Sequence, residues 1–347
     1  MEIFKALEKY GHEQLVFGQD KETGLKTIVA VHSTKLGPAG GGTRFWNYET
    51  EDQALFDVLR LSRGMSYKNA CADLALGGGK AVIIGDPKKL KSEEFFKAYG
   101  RIINSLGGKY YTAEDVNIST DDVDIINTVT PYVMGTSKIA GNPSPYTSRG
   151  VFMAVKAGAK HKFGTDDLKG LTIAVQGLGS VGYGLAKMLH EDGAKLIVAD
   201  INTERVDQAV KELEATAVGV QEIVTVACDI FAPCALGAVL NTENVKELKC
   251  KMVCGAANNV LLDPETGVAL EELGITYIPD YIANAGGIIN CAPEAIGIPY
   301  DEKFVLEKVD NIYNTTLKII DMAKERGITT YQAADQLAVE TIEAGKN

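Results

Sequence analysis

Three side chains in the first third of the chain have the types and settings that acid–base chemistry needs. Lys68 stands in Gly64-Met65-Ser66-Tyr67-Lys68-Asn69-Ala70, Lys80 follows Gly77-Gly78-Gly79, and Asp115 closes Lys109-Tyr110-Tyr111-Thr112-Ala113-Glu114-Asp115. Lys68 comes after an amphipathic stretch, and Lys80 lies between a glycine-rich turn and the apolar run Ala81-Val82-Ile83-Ile84, which reads as a buried strand. Such a setting desolvates an ammonium and lowers its pKa toward that of a general base. On these features alone two readings stand: a catalytic set, or solvated lysines and an aspartate that caps a helix.

A second constellation lies further on, where Thr172-Ile173-Ala174-Val175-Gln176 runs into Gly177-Leu178-Gly179-Ser180-Val181-Gly182. Strand, GxGxxG and helix in that order are the dinucleotide fingerprint. One glycine makes the tight turn, one lets backbone approach a pyrophosphate, and one packs helix on strand. The helix N-terminus offers N–H groups and a positive dipole end to phosphate. Asp200 ends the next strand, where a carboxylate accepts the ribose hydroxyls and repels a 2′-phosphate. NAD is therefore expected rather than NADP, with Arg205 nearby softening the choice. The competing reading is a glycine-rich turn without a cofactor.

The elements that must hold these groups follow from periodicity. Leu25 to His32 reads as a strand, Ala54 to Leu61 as an amphipathic helix, and Leu36 to Arg44 between them as a glycine-rich turn. A helix is expected from Ser92 to Ser105. The densest turn signal, Gly141-Asn142-Pro143-Ser144-Pro145, marks a domain boundary. Beyond it strands and helices alternate: strand Leu171 to Gln176, helix Val181 to Asp192, strand Lys195 to Asp200, helix Thr203 to Ala215. Later strands are expected near Ile230-Phe231-Ala232, Met252-Val253-Cys254-Gly255 and Thr276-Tyr277-Ile278-Pro279. This pattern predicts an α/β protein whose second domain is a parallel sheet covered on both faces. The expected domains are 1–135 and 136–327, with a C-terminal helix over about 328–347 returning to the first.

Composition narrows the function. The 347 residues are 46% hydrophobic and 23% charged, as in ordinary soluble globular domains, and their number suits two of them. Thirty-five Lys and Arg against 46 Asp and Glu give a net charge of -11 with no basic cluster, which argues against a nucleic-acid partner. No apolar run approaches the roughly 20 residues that span a bilayer, and the charged start MEIFKALEKYGHEQ does not read as a signal peptide. A cytoplasmic protein without a membrane partner is expected. Six scattered cysteines without a CxxC pair read as small buried apolar residues, and no metal site is expected.

The stretches LGPAGGGTRFW, RGMSYKNA, LGGGKAVIIGDP, TAEDVN, GNPSPYTSRGVF, VQGLGSVG, CDIFAPCALG, CGAANN and PDYIANAGGIIN occur in order from about Leu36 to Asn290. Together they resemble the leucine/valine/phenylalanine dehydrogenase family of amino-acid dehydrogenases, closest to its leucine-type members. The resemblance implies a substrate domain and a Rossmann-type doubly wound domain with a cleft between them. It implies reversible NAD-dependent deamination of an apolar L-amino acid to a 2-oxo acid, ammonium and NADH, and a homo-oligomer. By the same resemblance Lys68 matches the lysine that pairs with the substrate α-carboxylate. Lys80 matches the one that polarises the reacting centre and activates water, and Asp115 matches the proton shuttle. Nearby positive charge on Lys68 would help keep Lys80 available as a neutral amine. Gly41 and Gly42 match glycines that let backbone approach substrate, and Thr147 and Asn259 match positions at the nicotinamide end.

Gly40, Ala113, Met134, Ile288 and Cys291 match the family's specificity pocket. All are uncharged, which disfavours glutamate, because an unpaired buried carboxylate costs several kcal/mol. The common family residue at position 40 is leucine, so Gly40 is expected to open space, while Met134 replaces a smaller residue and takes space away. A branched-chain, leucine-like substrate is expected, with an aromatic one, phenylalanine or tryptophan, as the alternative. Two other classes compete with this reading. A hydroxy-acid dehydrogenase usually needs a catalytic histidine, and His12, His32, His161 and His190 read as surface residues. A non-catalytic NAD-binding protein would tolerate loss of Lys80 or Asp115.

Overall fold

The computed structural model describes residues 2–235, 237 and 239–345. They form two compact units. The first takes in residues up to Pro143, Ile288–Glu302 and the residues from Ala338 on; the second takes in Ser144–Gly287 and Lys303–Leu337. The sequence reading assigns 136–327 to one domain without a break, whereas here Ile288–Glu302 clusters with the first unit. Long-range polar contacts explain it: Asn290 donates to the Ala140 carbonyl at 2.9 Å, and Glu294 accepts from the Gly135, Thr136 and Ala140 N–H groups at 3.1 to 3.3 Å. Lys346 and Asn347, the end of the expected returning helix, lie outside the described residues.

In the first unit, among the described residues, five strands form one sheet: β1 (Gln14–Asp20), β2 (Leu25–Ser33), β3 (Ala39–Trp46), β4 (Gly77–Ile84) and β5 (Tyr110–Ala113). Their spatial order is β1-β2-β4-β3-β5. β1 and β4 run antiparallel to β2, while β4 and β5 run parallel to β3. Alternation assigns the two faces. Ile28, Ala30 and Val82 pack under the helix Glu51–Cys71, through Ala54, Leu55, Val58 and Leu59. Val29, Val31, Phe45, Ala81 and Ile83 pack on the other face against Phe95, Phe96, Tyr99 and Ile103 of the helix Glu93–Asn104.

Of the two glycine tracts that read as turns, residues 36–38 do turn, but 39–44 lie in β3 and 77–79 in β4. A Cβ at Gly77 would stand 2.0 Å from the Ser33 carbonyl oxygen, one at Gly78 would stand 2.1 Å from the Ser66 nitrogen, and one at Gly41 would stand 2.0 Å from the Gly79 oxygen. These glycines serve close approach rather than turning, a use that local propensity does not reveal. The β3–β4 register passes through Gly40↔Gly78 and resumes at Thr43↔Ala81. Lys80 lies in that interval.

In the second unit, again among the described residues, the strands are β6 (Thr172–Gln176), β7 (Lys195–Ala199), β8 (Thr216–Ala217), β9 (Ile230–Pro233), β10 (Met252–Val253) and β11 (Thr276–Tyr277). The order is β11-β10-β9-β6-β7-β8 and every pair is parallel. Chain order runs outward in opposite directions from β6 and β9, so the switch point of this doubly wound sheet lies beside the C-terminal end of β6. Three helices, Glu302–Asp310, Ile312–Arg326 and Thr330–Ala344, follow toward the C-terminus. No helix among the described residues is long and apolar enough to cross a membrane.

Candidate active site

Lys80 shares the even-numbered parity of Val82 on β4, so it emerges on the face covered by the helix Glu51–Cys71. Lys68 lies inside the last turn of that helix, not beyond it as the sequence suggests. Its neighbours hold the helix to the start of β4: Asn69 donates to the Gly77 carbonyl at 2.6 Å, and Ser66 closes over Gly78.

Asp115 follows β5 and reaches the same region because Gly42 has no side chain. A Cβ at Gly42 would meet the Glu114 oxygen at 2.1 Å and the Asp115 Cβ at 3.0 Å. The Lys80 Nζ stands 2.9 Å from Asp115 Oδ2, with side-chain exposures of 8% and 17%. Arg44 Nε faces the same oxygen at 3.5 Å. Burial would raise the Asp115 carboxyl, but Lys80 and Arg44 reverse that and hold it below the usual carboxylate range. Burial raises its neighbour Glu114 instead, although Thr120 donates to that carboxylate at 2.9 Å. An enclosed ammonium–carboxylate pair can pass a single proton between nitrogen and oxygen, which is what acid–base work on an amine requires.

The residues expected to set specificity are placed by their own contacts. Ala113 is paired with Gly42 across β5 and β3. The Met134 N–H donates to the Thr112 carbonyl at 2.8 Å, and a Cβ at Gly135 would be 3.2 Å from Cys291 Sγ. Ile288 precedes Cys291 by three residues on the helix Gly286–Ile296. The open space expected at Gly40 is not there. A Cβ at Gly40 would stand 3.0 Å from the fully buried Met134 Cε and 3.4 Å from Leu76 Cδ1, so the methionine methyl fills the gap.

The second unit carries the other constellation. Gly177 has φ 95°, the left-handed conformation a glycine adopts freely. Gly179 caps the helix Ser180–Glu191 with no side-chain hydrogen bond, and a Cβ there would meet nothing within 4 Å. A Cβ at Gly182 would stand 2.0 Å from the Gly177 oxygen. The turn, the open approach and the close packing therefore fall on Gly177, Gly179 and Gly182 in that order, with Leu178, Ser180 and Val181 supplying the backbone between them. Asp200 accepts the Leu178 N–H at 2.5 Å and the Asn202 N–H at 2.7 Å, which aims its carboxylate at the loop. Arg205 is exposed. Thr147 lies in the first turn of the helix Ser144–Phe163, and Asn259 follows β10 with φ 53°. An uncapped helix start, an open glycine and a carboxylate one strand away fit a dinucleotide.

Residues 12–137 match the family described as Glu/Leu/Phe/Val dehydrogenase, dimerisation domain. Residues 143–203 and 199–346 match the one described as Glutamate/Leucine/Phenylalanine/Valine dehydrogenase. The chain belongs to the Glu/Leu/Phe/Val dehydrogenase family. It is 55% identical over 350 residues to the leucine dehydrogenase of Bacillus cereus, covering 100% of this chain and 95% of that one. It is 46% identical over 347 residues to the L-tryptophan dehydrogenase of Nostoc punctiforme, covering 100% and 98%. The crystal structure of the latter superposes with a TM-score of 0.86 at 44% identity, covering 99% of this chain and 100% of that one. The chain is thus an amino-acid dehydrogenase, an oxidoreductase acting on the CH–NH2 group, and its Rossmann-type domain implies a nicotinamide cofactor.

Two parts of this dehydrogenase escape sequence reading. His12 and His32 are buried, not on the surface. His12 Nε2 lies 3.0 Å from the Leu59 carbonyl and 2.8 Å from Ser62 Oγ; His32 Nδ1 lies 2.7 Å from Ser66 Oγ and Nε2 3.1 Å from the Tyr10 carbonyl. The other omission is Arg44. Besides facing Asp115 it binds Asp57 Oδ2 at 2.9 Å, and Tyr48 donates to the same oxygen at 2.7 Å. Reading Ala39–Trp46 as a strand would have found it, since Arg44 then shares a face with Gly40 and Gly42.

Proposed function

We propose that this dehydrogenase oxidises L-leucine and other branched-chain L-amino acids reversibly with NAD, releasing the 2-oxo acid, ammonium and NADH. The observation that carries the reading is the enclosed Lys80–Asp115 pair, because deamination needs one group to activate water and another to protonate departing ammonia. Lys68 binds the substrate α-carboxylate as a fixed cation. Lys80 polarises the reacting carbon and takes the proton of the attacking water; Asp115 carries protons to and from the amino nitrogen. Gly41 and Gly42 bring backbone up to the substrate. NAD, when bound, accepts the hydride that leaves Cα. Gly177, Gly179 and Gly182 with the helix start hold its pyrophosphate, Asp200 its adenosine ribose, and Thr147 and Asn259 its nicotinamide end.

Substrate size is set by Gly40, Ala113, Met134, Ile288 and Cys291, and the Met134 methyl over Gly40 supports an aliphatic side chain over an aromatic ring. The chain works as a homo-oligomer, which the dimerisation-domain match supports. The test is kcat/KM for leucine, isoleucine, valine, phenylalanine, tryptophan and glutamate with NAD, then leucine with NADP. Leucine-like substrates with NAD should lead. A lead for tryptophan or phenylalanine would transfer the assignment to the aromatic branch, and equal use of NADP would remove Asp200 from cofactor choice.

A further inference from the structure

Asp115 is enclosed by side chains from three elements. Lys80 from β4 and Arg44 from β3 face it with positive charge, Glu114 adjoins it in the chain, and Tyr48 and Tyr110 stand near enough to feel its charge. Beyond Arg44 lies a second carboxylate, Asp57 on the helix Glu51–Cys71, bound by Arg44 Nη1 at 2.9 Å, Tyr48 OH at 2.7 Å and Arg60 Nη2 at 3.2 Å. A guanidinium is a rigid planar fork, so an Nη1 fixed on Asp57 leaves Nε fixed in direction. That Nε–H and Asp115 Oδ2 are both buried, 3.5 Å apart, and neither makes an aligned hydrogen bond.

Resting on the proposed reaction, this geometry has a consequence for the proton traffic. Lys80 must leave Asp115 to act on the substrate, and a buried carboxylate does not survive alone as an anion. We infer that Arg44 is a positioning residue that holds Asp115 as a carboxylate when Lys80 turns to the substrate, with Asp57 and Tyr48 aiming its guanidinium. Arginine suits the place because it never gives up its proton. Exchange is thereby confined to Lys80, Asp115 and the substrate. The Nε–Oδ2 gap closes to a hydrogen bond as the Lys80–Asp115 contact opens, and no bond to hydrogen is broken at Arg44.

The experiment is the pH dependence of kcat/KM for leucine with NAD in wild type, Arg44→Met, Arg44→Lys and Asp57→Asn. A difference-infrared titration of the carboxyl band, assigned with Asp115→Asn, reads Asp115 itself without turnover, whereas the acid limb reads the Lys80–Asp115 pair together. Removing Arg44 should move the acid limb and the band titration up by about one pH unit or more, with kcat falling further than KM changes. Arg44→Lys should restore most of the position. Asp57→Asn should move both the opposite way, because its amide oxygen still accepts from Arg44 while one nearby negative charge is gone. A folded Arg44→Met whose limb and band stay in place overturns the inference. If Arg44→Met does not fold, Arg44→Gln, which keeps a polar side chain without the charge, decides: an upward shift of the band supports the inference, and no shift or a downward one overturns it. A wild type inactive on every apolar amino acid would sink the proposed function, and the infrared titration would still decide the role of Arg44.

Discussion

At position 40 the missing side chain is replaced by another: the Met134 methyl occupies the place a Cβ would point toward. Gly40→Leu must therefore displace Met134 from a close-packed wall, and such overpacking costs about 1–3 kcal/mol. Its kcat/KM for leucine should fall, whereas Met134→Ala should raise phenylalanine and tryptophan relative to leucine. Combining the two should recover leucine preference, so the double variant departs from the sum of the singles. Strict additivity would show that the two positions do not share space. The lysines divide differently. Lys80→Ala should lower kcat by orders of magnitude and leave NAD affinity intact. Lys68→Ala should also raise KM for the amino acid, since a ground-state contact is lost. Retained turnover in Lys80→Ala would remove it from the chemistry.

The helix Glu51–Cys71 carries Asp57 and Lys68, which at eleven residues apart lie roughly three turns along one stripe. Two buried histidines tie this helix down, His12 through Leu59 and Ser62 and His32 through Ser66. Burial lowers both imidazoles from 6.5 to about 4. The unfolded chain therefore binds protons that the folded chain refuses, and stability falls as pH drops from 6.5 toward 4. Each unit of separation corresponds to about 1.4 kcal/mol. Asp115, held below 3.8, loses its own contribution only at still lower pH. Urea midpoints measured across this interval should decline, and more shallowly in His32→Gln. Equal slopes in both proteins would mean that His32 is charged in the fold already.

At the scale of the molecule, the chain is acidic, and on the proposed reading an anionic cofactor would be met by backbone N–H groups at the start of the helix Ser180–Glu191. A net charge of -11 keeps such a protein soluble and leaves association to specific surfaces. The dimerisation-domain match over residues 12–137 assigns that role to the first unit. Light scattering of the active enzyme should give a multiple of the chain mass. A monomeric mass with full activity would contradict the oligomer.

The nucleotide constellation was legible in the sequence, because strand, turn, helix and the next strand's terminal aspartate follow one another locally. Gly177 has the left-handed φ of a tight turn, Gly179 is open, Gly182 packs on the Gly177 carbonyl, and Asp200 accepts the Leu178 N–H of the loop. Lys68, Lys80 and Asp115 were conspicuous by type and by resemblance, yet spacing alone left them open. The tertiary structure decided what depends on residues far apart in the chain. Gly77 and Gly78 are strand because Ser33 and Ser66 press on them, and Gly40 is filled because Met134 reaches it from more than 90 residues away. His12 and His32 are buried by a helix that neither adjoins. Arg44 meets Asp57 and Asp115 across three elements, and Ile288–Glu302 joins the first unit through Asn290 and Glu294. Periodicity records which face of an element is apolar; it holds no record of which distant side chain will lie against that face, and the chemistry of this site is set by such neighbours.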